Sequence, residues 1–143
     1  MRNATASVFL LLSIPGAVGN TWNIGYGLGA DNAVAGFNVE HRMRSAILNF
    51  GFTPYPMASA GLGWVFSEKE KTYWEAKSGY IRSTDFHGGY LGLKWTQDFG
   101  APKGFAWQAG VDFNYWRFFE PDENRGHTWL AFPYPALTLN YLW

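Results

Sequence analysis

At 143 residues the chain is the size of one domain, and with no cysteine it can hold neither a disulfide framework nor a thiolate metal site. Formal net charge is zero and only 15% of residues are charged, so there is no electrostatic case for nucleic acid. Aromatic residues make up 20% and there are 17 glycines, a composition short of charge for a soluble domain; Tyr and Trp are favoured where one end of the ring is dry and the other wet.

Residues 1–19 read as a cleaved secretory signal peptide. Arg2 lies in a short polar head, an apolar run covers residues 8–14, Pro15-Gly16 breaks it, and small Ala17 and Gly19 precede the cut. The run is too short to cross a bilayer as a helix.

Residues 20–143 are expected to form one barrel domain, because a period of two dominates from Thr21 onward. In the first segment Trp22, Ile24, Tyr26 and Leu28 oppose Asn23, Gly25, Gly27 and Gly29, and Asp31-Asn32 reads as a tight turn. The second sets Ala35, Phe37 and Val39 against Gly36, Asn38, Glu40 and Arg42; the third sets Ala46, Leu48, Phe50 and Phe52 against Ile47, Asn49, Gly51 and Thr53. The fourth sets Leu62, Trp64 and Phe66 against Gly61, Gly63, Val65 and Ser67. After the charged SEKEK turn, the fifth sets Trp74, Ala76 and Tyr80 against Glu75, Lys77 and Gly79; the sixth sets Leu91, Leu93 and Trp95 against Tyr90, Gly92, Lys94 and Thr96. The seventh sets Phe105, Trp107, Val111, Phe113 and Tyr115 against Ala106, Gln108, Gly110, Asp112 and Asn114. The eighth ends in Leu137, Leu139, Tyr141 and Trp143, opposite Ala136, Thr138, Asn140 and Leu142.

The polar face is mostly glycine, with too little Lys and Glu for a solvent-facing wall, whereas glycine suits a narrow eight-stranded interior. The expected fold is therefore all-β: an eight-stranded antiparallel up-and-down transmembrane barrel, apolar outside. Charges on the inner face should be paired, and Glu40, Glu75 and Asp112 balance Arg42, Lys77 and Lys94. A turn at Thr84-Asp85 sets Glu75 opposite Lys94 and brings Lys94 within reach of Asp112.

The last strand, with apolar residues at alternate positions and an aromatic final residue, resembles the C-terminal signature of bacterial outer-membrane barrels, carried here by Leu137, Leu139, Tyr141 and Trp143. With the signal peptide and eight alternating segments, the mature chain resembles small barrels of the OmpX, OmpA-barrel and opacity-protein kind. The resemblance implies a Gram-negative outer-membrane location, recognition by the barrel-assembly machinery, and contact with outer-membrane lipids and lipopolysaccharide. A monomer without a cofactor is expected. Both termini would be periplasmic. Outer loops then fall at 31–32, 53–59, 83–87 and 120–127, and periplasmic turns at 43–45, 67–71 and 99–104.

Candidates for chemistry are few. His87 and His127 lie in outer loops near Asp85, Asp122 and Glu123, and Ser83, Asp85 and His87 are the residues a rim acylhydrolase or acyltransferase would use. Their spacing matches no hydrolase motif. Pro133 and Pro135 cannot donate ladder hydrogen bonds, and the pattern is similar to the proline-weakened lateral seam of the outer-membrane palmitoyltransferases. That family's catalytic Asp-Ser pair has no counterpart. The other reading of the prolines is that they start the strand above the membrane. Arg82 and Arg117 fall in lipid-facing rows at strand ends, where a guanidinium can pair with lipid A phosphates. The leading expectation is a non-enzymatic structural or surface-interaction barrel. A lipid A-modifying enzyme, with a cavity lined by Gly27, Gly29 and Gly110, is the alternative, and a secreted soluble lipocalin-like binder is the third.

Overall fold

The computed structural model describes residues 20–69, 71–98, 104–119 and 129–142. The strands are β1 (Asn20–Gly29), β2 (Val34–Met43), β3 (Ala46–Thr53), β4 (Met57–Lys69), β5 (Thr72–Arg82), β6 (Phe86–Asp98), β7 (Gly104–Phe118) and β8 (Trp129–Leu142). Each pairs antiparallel with its sequence neighbour, and β8 returns to β1, so the sheet is a closed eight-stranded up-and-down barrel. The expected signal peptide and Trp143 lie outside the described residues. We call the end where β1 begins and β8 finishes the lower rim, and the opposite end the upper rim.

The period of two decides which side chain faces which way, and the sides are inverted relative to a soluble barrel. Leu62 (63% exposed), Phe113 (57%), Leu91 (56%) and Tyr26 (62%) point outward, while Lys77 and Glu75 are at most 1% exposed. Leu62, Leu91 and Leu93 stand in the middle of the outer wall. Trp22, Trp74, Trp107 and Tyr141 stand near the lower rim, and Phe52, Tyr80, Tyr115 and Trp129 towards the upper.

Register sets the height of the wall. A row traced from Trp129 runs through Arg117, His87, Arg82, Ala58, Phe52, Phe37 and Tyr26, then rejoins β8 at Leu139, ten residues from its start. An offset of ten over eight strands is about 33 Å of climb in about 38 Å of girth, a tilt of about 40°. A ten-residue strand such as β1 then rises about 25 Å.

Two local features depart from strict alternation. The β4–β5 register shifts between Val65 and Ser67, leaving Phe66 as an extra residue. Below that bulge Ser67 pairs with outward Trp74, and Glu68 with inward Tyr73, so Ser67 is not on the inner face as alternation predicts. The second departure is Asp31-Asn32, which does not cap a hairpin outside the barrel. Ala30–Asn32 is a single 3-10 turn folded into the lumen, and Ala30, Asp31, Asn32 and Ala33 are each at most 1% exposed. The chain enters and leaves this plug through positive φ at Gly29 (137°), Ala33 (49°) and Val34 (75°). For β-branched Val34 that conformation is strained, so surrounding contacts must hold it.

Gly51 makes room for the plug. A Cβ there would lie 2.1 Å from the Asp31 carbonyl oxygen and 2.8 Å from the Ala33 nitrogen. Gly51→Ala is expected to destabilise the folded barrel by about 1–3 kcal/mol through overpacking. At Gly89 a Cβ would meet only one atom, at 3.7 Å, so Gly89→Ala should be near neutral. Urea unfolding of the refolded variants, followed by Trp fluorescence, checks this; equal midpoints would mean that the plug is not packed against β3.

Candidate functional site

The lumen is layered. At the lower rim Ile47, Val65 and Tyr73 pack together. At the upper rim Ile81, Phe86 and Trp116 do so, covered by Val34, Met57, Phe118 and Phe132. Phe86 stacks on Trp116 with centroids 4.2 Å apart, and Phe132 meets Trp116 edge-on at 4.8 Å. Between these apolar layers lies a polar core.

Two ammonium groups organise that core. Lys77 Nζ lies 3.0 Å from Asp31 Oδ2 and 2.8 Å from Glu75 Oε1, and it also bridges to Glu40. Lys94 Nζ contacts Asp31 Oδ1 and stands 3.6 Å from Asp112 Oδ1. Amides fill the remaining positions. Asn23 and Asn38 donate to the two Glu40 oxygens at 3.1 and 3.2 Å, Gln108 donates to Glu75, and Asn32 donates to Thr138 Oγ1 at 2.8 Å. The plug is tied in by its backbone as well: Ala30 N–H donates to Asp112 Oδ2 at 2.6 Å, and Ser59 Oγ donates to the Asp31 carbonyl at 3.2 Å.

Glu40, Glu75, Lys77, Lys94 and Asp112 are thus brought together, and Glu75 pairs directly across from Lys94. Arg42 is the exception. It lies on the inner face but at the lower mouth, 2.9 Å from Glu68 Oε2 and 4.4 Å over the Tyr73 ring. Its place among the buried charges is taken by Asp31, which sequence reading had put in an exposed turn. The buried set is therefore Asp31, Glu40, Glu75 and Asp112 against Lys77 and Lys94, four acids to two bases.

At the upper rim, Ser83 Oγ accepts hydrogen bonds from Asp85 N–H (3.0 Å) and Phe86 N–H (3.1 Å), which closes the β5–β6 turn. His87 instead faces outward. Its Nδ1 is 2.6 Å from the Tyr80 hydroxyl, and its ring stacks on Phe119 at 5.2 Å. Among the described residues no hydrogen bond joins the Ser83, Asp85 and His87 side chains. His127 lies outside the described residues. The interior beside Gly29 is occupied by the Asp31 and Asp112 carboxylates, and a Cβ at Gly27 or Gly110 would strike the backbone of the adjacent strand, so these glycines line no cavity. No group of three or more His, Asp or Glu side chains suited to a metal ion occurs among the described residues.

Arg82, His87 and Arg117 are successive members of one outward row, paired across β5, β6 and β7. Arg117 Cζ is 5.7 Å from the Trp129 ring, and its Nε is buried without a hydrogen-bond partner among the described residues. Beside Arg82 is an open cleft of about 600 Å³, bordered by Thr53, Met57, Thr84 and Phe119. Pro133 and Pro135 lie within β8, opposite Phe113 and Val111 of β7. The Leu137 carbonyl points towards β1, 2.1 Å from where a Gly27 Cβ would be. Backbone direction alternates, so both prolines turn their nitrogens to that side. There β1 has run out, the last pair being Leu28 with Leu137, and no ladder donor is needed. Leu137, Leu139 and Tyr141 face outward on β8.

Comparison with protein-family models, with curated proteins and with solved structures finds no match. Fold and site together define a class: a closed eight-stranded antiparallel barrel with an ion-paired, plugged interior and an apolar exterior.

Because the buried set has excess acid, removing a base should cost more than removing an acid. Lys77→Met removes the ion-pair partner of Glu40 and Glu75, leaves Asp31 with Lys94 alone, and is expected to destabilise by about 3–5 kcal/mol or to prevent folding. Asp31→Asn keeps the shape and leaves each lysine a carboxylate, so its loss should be clearly smaller. Urea midpoints of the two refolded variants decide; the reverse order would refute the charge count.

Proposed function

We propose that this chain is a small integral β-barrel of a bacterial outer membrane, non-enzymatic, serving the envelope or its surface in contact with lipopolysaccharide. The observation that carries this reading is the inversion of the wall. In water the outward Leu, Phe, Trp and Tyr would form a continuous apolar belt far larger than the few hundred Å² a soluble monomer exposes, and each such side chain would forgo about 1.5–3 kcal/mol of burial. In a bilayer the same belt is solvated by lipid. Closure supports the reading too, since backbone groups in lipid must be paired within the protein. So does height: the rise of about 25 Å suits the apolar band of such barrels, and aromatic residues stand towards both of its ends.

On this reading residues 1–19 are the export signal, the lower rim is periplasmic and the upper rim faces outward. Leu137, Leu139 and Tyr141 of β8, with Trp143, serve recognition by the assembly machinery. Arg82 and Arg117 stand where the apolar wall ends, at the level of lipid headgroups, where arginine is cheap and can pair with phosphate. The packed lumen supports a role other than a general porin.

Cold SDS-PAGE of fractionated cells, with and without boiling, tests the proposal. A band in the outer-membrane fraction that shifts on boiling is expected. A soluble protein with no shift overturns the reading in favour of a lipocalin-like binder.

A further inference from the structure

We propose that Arg82, His87 and Arg117 form one binding site for a phosphate monoester on a sugar-headed lipid of the outer leaflet. The proposal rests on the outer-membrane reading above and deepens it. Alternation alone does not single out His87 as a partner of the two arginines, because the three lie on different strands. Register does: Arg82 pairs with His87, and His87 with Arg117, so their Cβ atoms stand in one row with about 5 Å between neighbours. Like charges directly opposite one another destabilise a sheet; here the imidazole separates the two guanidiniums, and an anion shared by all three turns the row into an attractive arrangement.

His87 and Arg117 are positioned by their neighbours. The Tyr80 hydroxyl lies 2.6 Å from His87 Nδ1 and engages that nitrogen; with the hydroxyl as donor, Nε2 carries the ring N–H. Phe119 covers one face of the ring. Arg117 is held over Trp129, itself stacked on Tyr115 with centroids 4.6 Å apart. Its buried Nε–H has no acceptor among the described residues, and an unpaired buried donor calls for one. No acidic side chain among the described residues pairs with Arg82 or Arg117.

The row also has a neighbour suited to the rest of such a headgroup. The cleft of about 600 Å³ shares Arg82 with it and meets His87 through Phe119. Thr53 and Thr84 offer hydroxyls there, and Met57 and Phe119 offer apolar surface, the mixture a sugar ring uses. Phosphate would lie on the row, sugar in the cleft, and acyl chains down the outer wall below Tyr80.

The test uses the full mature barrel, folded in a phosphate-free detergent, with bisphosphorylated lipid A, dephosphorylated lipid A and inorganic phosphate as probes. Native mass spectrometry reads bound lipid. Binding of the bisphosphorylated lipid is expected, and at least about tenfold weaker binding of the dephosphorylated one, the loss of one strong charge-assisted contact or more. Arg82→Gln, His87→Gln and Arg117→Gln should each weaken binding, while Arg44→Gln, in the lower-rim turn, should not. Heat modifiability of every variant separates lost binding from lost fold. A soluble, unshifted protein would sink the outer-membrane reading itself. A shifting barrel that binds both lipids equally, or loses binding equally in Arg44→Gln, overturns the site alone. Competition by inorganic phosphate at the lipid's own concentration would make free phosphate the ligand and overturn the lipid assignment.

Discussion

Everything in this barrel depends on two buried ammonium groups. Lys77 and Lys94 come from adjacent strands, β5 and β6, and between them reach carboxylates on β2, β5, β7 and the plug. An ion moved from water into a dry interior loses several kcal/mol of solvation, and only close opposite charges with further hydrogen bonds return it. The lumen supplies both. Asp31 divides its two oxygens between the lysines, while Glu40 takes two amide donors in addition to Lys77. The network ties β2, β5, β6, β7 and the plug to one another across the lumen, in addition to the backbone ladder around it.

The plug follows from the same electrostatics. Nothing about a 3-10 turn of Ala, Asp and Asn favours an interior position; its polar groups would be content in water. Inside, Asp31 bridges Lys77 and Lys94 of the adjacent strands β5 and β6, one carboxylate oxygen to each, and Ala30 N–H donates to Asp112. The strain at Val34 and the missing side chain at Gly51 are what the chain accepts to deliver Asp31 there.

The contrast between what could and could not be read beforehand has a physical basis. The side-chain period of a strand is two, so Trp22 through Leu28 or Phe105 through Tyr115 declare their faces without any knowledge of neighbours. The pairing of Glu75 with Lys94 followed from one correctly placed turn. Period says nothing of depth, however, and Arg42, on the right face, lies low enough to prefer Glu68 and Tyr73 at the mouth. Glu68 reached that face only because Phe66 is a bulge, and no residue in the run from Trp64 to Ser67 marks one. Asp31 was hidden for a different reason: Asp-Asn is good turn chemistry whether the turn points out or in. The even balance of three acids and three bases on the strands gave no hint of the excess of acid that the lumen holds. The His87 row was hidden because cross-strand neighbours need register, which depends on every turn length before them.

A barrel whose interior is committed to holding itself shut has its chemistry elsewhere. The apolar layers of Ile47, Val65 and Tyr73 below and Ile81, Phe86 and Trp116 above lie between the ions and either mouth. Ser83 belongs to a turn, and the glycines that a lipid-modifying pocket would need are pressed against backbone or carboxylate. At the upper rim, two arginines without an acidic partner among the described residues, one with a buried donor lacking an acceptor, flank a histidine whose Nδ1 is already engaged. Inside, every buried carboxylate of the set lies against a lysine. Outside, Arg82 and Arg117 stand one residue either side of His87 in the same row with no acidic partner among the described residues, and an anion seated there would meet both.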